Sequence, residues 1–378
     1  MLLAVGSAMI FPYTFLPIVN SPPGNQDVWI AMLLAFVYIV VLSAPFLYLI
    51  NKCRGLSLAG MMDIILGNVA GKILLVPIIF FFVYCVCACM MIVAQFIILY
   101  LLPNTPLWAI YLYMLVPVCY TVGKGAGTIA RMATFIVPFI IVTIVLFLVF
   151  GLEQMNFRIL FPILSDSTLW ELNAGAFLTA ARYSEILILV VFSRHLSRKS
   201  SINKTYAAAL VAFGLCFLGI LLPTILTLGV DLAKIVNNPY FVFTRQVEAL
   251  GFLERIHAIN TLAWFPASLL KLSVYLYMAS ETLSELFSSK SHRTFVLPIA
   301  VFALIFGLIP FINSASTITL LSSDKIFPFV IIPVIFLIPL FTVIVFCIRR
   351  RKIGPVLAKA KDLVSADEQT MRTQQRLS

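Results

Sequence analysis

The sequence predicts an all-α integral membrane protein: ten transmembrane helices in a five-plus-five inverted repeat, with the first and sixth helices broken. Three observations lead there. The 378 residues are 62% hydrophobic and only 11% charged, with a mean hydropathy of +1.08, whereas soluble domains carry about 25% charged residues. Apolar runs of membrane-spanning length recur ten times. The basic residues then sort into alternate loops, as the positive-inside rule requires.

The runs cover approximately 2–19, 28–50, 73–102, 106–122, 132–150, 172–193, 206–229, 256–279, 294–312 and 326–348. The third is long enough to imply strong tilt. Leu56–Val69 is apolar but too short to span, which suits a helix lying along the interface. Pro239–Phe252 reads as a short helix on the outer surface. Met1–Val19 lacks the basic start and polar cleavage site of a signal peptide. Residues 1–348 therefore form the membrane domain, with repeats at approximately 1–150 and 172–348, and 349–378 a basic, partly disordered cytoplasmic tail.

Charge placement tests the count independently. With the even loops and the tail on one side, that side holds 19 of the 26 basic residues, the other side five, and the spans two. This puts both termini in the cytoplasm. The net charge of +11 is therefore topological and gives no reason to expect a nucleic-acid partner. The run Arg349-Arg350-Arg351-Lys352 after the last span is a stop-transfer cluster that also suits anionic membrane lipid.

Five spans per half is an odd number, so the second half enters the membrane from the opposite side. Inverted repeats of this kind hold their substrate at interrupted helices near the midplane, and the first span of each half is the expected pair. Span one carries Gly6, Ser7 and Ala8 ahead of Pro12, small residues followed by a helix breaker. Close helix packing through small residues is the alternative reading. Span six carries Arg182, Tyr183, Ser184 and Glu185 near its centre. A charge at that depth costs about 2.5–3.5 kcal/mol on insertion scales, so it faces protein or a water-filled cavity. Arg182 and Glu185, three apart, share a helix face. They either form an internal ion pair or flank an unwound binding site, whose bare peptide groups suit the carboxylate and ammonium of an amino acid.

Lys271, midway along span eight, is the other intramembrane charge. A partner for Glu185, a fixed cation in place of sodium, a proton carrier and a packing ion pair all remain open for it. Gln95 in span three offers an amide to the same pocket or to a neighbouring helix. Glu281, at the inner end of span eight, is expected to be solvated. Cys85 and Cys89 share a helix face but no histidine accompanies them, and buried cysteine is ordinary in apolar helices. No metal or cofactor is implied, and no nucleophile–histidine–acid set or phosphate loop points to an enzyme.

Several strings together resemble the spore germination permease family, the B-type subunit of germinant receptors, within the amino acid–polyamine–organocation superfamily. They are GSAMIFPYTFLP at Gly6–Pro17, NQDVWIAMLL at Asn25–Leu34, ILGNVAGKIL at Ile65–Leu74, GAGTIARMATFIVP at Gly125–Pro138, ILFPILSD at Ile159–Asp166 and ERIHAINTLAWFPASLLKLSVYLY at Glu254–Tyr277. The order and spacing cover nearly the whole chain. The start departs from the pattern: family members carry more residues before the first-span glycine, where only Met1–Val5 stand here. That implies a misplaced start or a shortened first helix.

The resemblance implies nutrient sensing in the inner membrane of a dormant spore, alongside A-type and C-type receptor subunits. The ligand would be an amino acid or similar small nutrient, held by Gly6, Ser7, Ala8, Gln95, Arg182, Tyr183, Ser184, Glu185 and Lys271. A proton-coupled amino-acid symporter would use the same pocket, and a scaffold subunit would use none.

Overall fold

The computed structural model describes residues 16–183, 192, 201–247, 257–289, 291–309 and 327–377. Among these the regular structure is helical throughout. The helices are α1 (Val28–Lys52), α2 (Leu58–Leu66), α3 (Asn68–Tyr100), α4 (Leu107–Lys124), α5 (Ala126–Phe150), α6 (Leu169–Tyr183) and α7 (Ile202–Leu228). They continue with α8 (Val230–Ile235), α9 (Pro239–Gln246), α10 (His257–Leu286), α11 (Arg293–Leu308), α12 (Phe327–Ile332) and α13 (Ile338–Leu377). Hydrocarbon offers no water to pair with peptide groups, so a spanning segment must satisfy its own backbone, and a helix does so within itself.

Seven of these helices are long and apolar enough to cross a membrane: α1, α3, α4, α5, α7, α10 and the stretch from α12 into α13. They correspond to the second, third, fourth, fifth, seventh, eighth and tenth runs of the sequence. The ninth is α11, at 16 residues, and the first part of the sixth is α6, at 15. The first run lies almost wholly outside the described residues. The break in the sixth helix was expected at Ala181–Ser184; α6 is regular through Tyr183, and Ser184 lies outside the described residues. At 33 residues, α3 is about 50 Å long. That exceeds the roughly 30 Å hydrocarbon core, as the expected tilt requires.

Cross-contacts gather the loops into two ends. At one, Asn51 donates to Asn203 (2.6 Å), Ala59 N–H to Glu285 (3.0 Å) and Arg349 to the Ile65 carbonyl (3.0 Å). His292 Nε2 lies 3.1 Å from the Val122 carbonyl at this end. At the other, the segment 24–27 meets 161–168, and Asn156 N–H bonds the Leu226 carbonyl (2.9 Å). The second, fourth, sixth and eighth loops thus share one end with the start of the tail, and the first, fifth and seventh loops meet at the other.

Local sequence explains the corners. Gly67 (φ 94°) alone separates α2 from α3, and Gly125 (φ 91°) alone separates α4 from α5. A one-residue corner needs the positive φ that glycine adopts without steric cost. Ser57 caps α2 by accepting from Gly60 N–H (3.1 Å). Between α12 and α13 the chain widens into a π turn at Pro333–Leu337, where the proline lacks the N–H that an α-helical bond would use.

One expectation needs correcting. The helix at 239 exists, but it does not lie on the surface: Pro239, Tyr240, Phe241, Phe243 and Thr244 are all buried. The aromatic residues draw it into the bundle, with Phe241 edge-on to Phe96 at 5.0 Å. The polar segment after the last span is helical to Leu377. It is rich in Ala, Lys, Glu, Gln and Arg, which favour helix.

The tightest approach joins α6 to the segment before α1. A Cβ at Gly175 would sit 1.7 Å from the Pro22 carbonyl oxygen, a backbone atom that cannot swing aside. Two predictions follow from these contacts. Gly175→Ala should destabilise the protein by about 1–3 kcal/mol or more, read as a fall in melting temperature in detergent. A reporter active only in the cytoplasm should work when fused after Leu377, which checks the side on which the even loops lie.

Candidate ligand-binding site

The most buried long helix is α10, and its polar residues line up. Asn260, Trp264, Ser268, Lys271 and Tyr275 recur at helical spacing and are 1%, 1%, 0%, 3% and 1% exposed. Residues at such intervals share one face. The hydroxyl of Ser268 bonds back to the Trp264 carbonyl (2.9 Å). The Lys271 ammonium stands 5.6 Å from the centroid of the Tyr275 ring one turn away, a cation–π distance. A lysine at 3% exposure in the middle of an apolar helix is expensive, and such residues mark function more often than packing.

Arg182 is the second deep cation, 6% exposed in the last turn of α6. Thr179, three residues earlier, is fully buried, and its hydroxyl has no partner among the described residues. Gln95 is half-buried on α3. Of the remaining sequence candidates, Gly6, Ser7, Ala8, Ser184 and Glu185 lie outside the described residues, and Tyr183 is placed only as the last residue of α6. The structure therefore places Arg182, Lys271 and Gln95 within the bundle. It neither gathers nor separates the full set.

What positions Arg182 is a polar clamp at the far end of α6. Asp27, fully buried at the start of α1, accepts from the Leu164 N–H (3.1 and 3.2 Å) and from the Ser167 hydroxyl (2.6 Å). Asn25 donates to Ser167 (2.9 Å) and to the Asp166 carbonyl (3.1 Å). Gln26 reaches the Pro162 carbonyl and Asp166. The chain then enters α6 through a capping box: Thr168 accepts from Glu171 N–H (3.2 Å), and Glu171 accepts from Thr168 N–H (2.9 Å). Along the helix, Tyr38 of α1 donates to Asn173 (2.8 Å) and packs edge-on to Phe177. These contacts hold the helix that carries Arg182 against α1.

The even-loop end has its own charged contacts. Glu281, expected to be solvated, is 7% exposed. His292 Nδ1 lies 3.5 Å from its Oε2, while Nε2 faces the Val122 carbonyl, an acceptor only, and so carries hydrogen. The helix start at 293 folds the histidine back over α10, which sequence distance alone conceals. Glu285 accepts at the N-terminus of α2, and Arg349 donates at its C-terminus. Each charge has the sign that the helix dipole favours.

Sequence reasoning missed Asp27, the Glu281–His292 pair, and Asn260 with Trp264. A helical wheel drawn through Lys271 would have found the last two. Asp27 had no signal beyond being an acid at the lip of an apolar run. Two open apolar grooves, of about 540 and 700 Å³, lie on the other side of α10, lined by residues including Tyr113 and Phe265. They offer little for a polar ligand to bond.

Comparison with known proteins gives one family. A family profile described as spore germination protein matches residues 2–315. The chain is also 25% identical over 252 residues to spore germination protein B2 of Bacillus subtilis (strain 168), across 66% of this chain and 68% of that protein.

The capping box yields a pH prediction. Its bonds from the Thr168 N–H and hydroxyl hold the Glu171 carboxyl below its usual 4.5. A pKa lowered by folding stabilises above the unfolded value and stops doing so as pH falls through the folded one. Melting temperature should therefore drop between about pH 5 and pH 3, and Glu171→Gln should shrink that drop.

Proposed function

Because the chain belongs to the spore germination protein family, we propose that it is the nutrient-binding membrane subunit of a germinant receptor. It recognises an amino acid or similar small nutrient at mid-membrane depth and passes a conformational change to A-type and C-type partner subunits. The relative's name, spore germination protein B2, supports the B-type assignment. The observation that carries the binding role is the burial of two cations, Arg182 and Lys271, in apolar helices. Retaining both against their desolvation cost makes sense where a carboxylate is to be held.

The pocket combines these cations with Gln95, Tyr183, Ser184 and Glu185, and with the peptide groups around Gly6, Ser7 and Ala8. Glu185 supplies the negative charge that an ammonium group requires. The clamp at Asp27 keeps α6 in place so that its inner end can respond to the ligand. The spore inner membrane is the location, with the even loops and both termini on the cytoplasmic side.

Two variants test this reading. Glu185→Gln and Lys271→Met should each weaken the nutrient response of spores by at least about tenfold, with membrane abundance unchanged. A normal response in both would overturn the pocket. Uptake of labelled amino acid by proteoliposomes holding this chain alone would instead identify a symporter.

A further inference from the structure

We propose that Asn260 and Trp264 form a second, outer station for the small zwitterionic solute, on the same face of α10 as Lys271. The inference rests on the small-nutrient reading above and extends it toward the odd-loop end. Asn260 and Trp264 precede Lys271 by eleven and seven residues, about 16 and 10 Å along the helix axis.

The observation behind it is a pair of unpaired polar atoms. Asn260 Oδ1 and Trp264 Nε1 are buried and have no hydrogen-bond partner among the described residues, in side chains each 1% exposed. Elsewhere α10 satisfies its buried hydroxyls locally. Ser268, Ser273 and Thr282 bond to the carbonyl four residues back, and Ser280 and Ser284 to the carbonyl three back. Only a few buried polar groups in a folded protein lack partners, and each one calls for an explanation. Here two occur one turn apart on one face.

Their chemistry is complementary. The Asn260 oxygen can only accept and the Trp264 N–H can only donate, so the occupant carries a donor and an acceptor close together. An α-amino acid does, with its ammonium toward Asn260 and its carboxylate toward Trp264. The walls suit an apolar side chain. The Phe96 ring lies 4.1 Å from the Trp264 indole, and Phe241 of α9 packs on Phe96 at 5.0 Å and on Tyr100 at 4.8 Å. The buried Tyr240 hydroxyl is also unpaired, but that ring packs against Phe243.

The test uses the full chain purified in detergent, with the protein amino acids as thermal-shift probes. Asn260→Leu keeps the side chain's shape and removes both amide heteroatoms, so it should melt at or above the wild-type temperature without ligand; Trp264→Phe removes the indole N–H together with part of the ring. Each should weaken apparent affinity for the stabilising amino acid by about tenfold. Should one variant fail to fold, the other reads the same station. Wild-type affinity in both variants would overturn the proposal, as expected if bridging water fills the site. Loss in Lys271→Met alone would sink the outer station and leave the midplane pocket standing. No shift in the wild type with any amino acid would bring down both.

Discussion

The structure depends on one constraint: a polar group in hydrocarbon has no water to pair with. The spans are helical because helices pair their own peptide groups, and the same pressure governs their side chains. Thr121, Thr134, Thr143, Thr224 and Thr342 all return their hydroxyls to the carbonyl four residues back. In such a setting an unpaired or charged buried group stands out. The charged Arg182 and Lys271 stand out in this sense, as do the unpaired atoms of Thr179, Asn260 and Trp264 beside them on α6 and α10; Trp29, Asp63, Thr227 and Tyr240 carry further unpaired atoms on other helices.

The ends of the bundle obey a different logic. There water competes, and fixed geometry comes from buried carboxylates and helix termini. Asp27 gathers the loop from Leu164 to Ser167 around one carboxylate, and this sets where α6 begins. At the opposite end Glu285 and Arg349 bracket α2, tying α10 to α13 through the dipole of a nine-residue helix. A conformational change in α10 therefore has a direct mechanical route to the even-loop face and to the start of the tail.

Length, hydropathy and the alternation of basic loops determined much of this protein from sequence alone. Apolar periodicity is local, and each spanning helix satisfies its backbone by itself, so α1, α3, α4, α5, α7 and α10 fall close to the runs that announced them. The short helix at 58–66 was legible for the same reason. So were Arg182 and Lys271, because a charge inside an apolar run is visible without any knowledge of its neighbours.

Tertiary structure alone decided the contacts across long stretches of chain. Asp27 meets Ser167 over 140 residues, Glu285 meets Ala59 over 226, and Glu281 is buried because His292 and α4 close over it. The helix at 239 looked superficial by composition, yet its aromatic rings are drawn inside by Phe96 and Tyr100. Whether a polar atom is paired is likewise a property of what packs around it. Hydrophobic pattern specifies which segments enter the membrane. The burial and pairing of any one side chain are set only when distant helices close against each other.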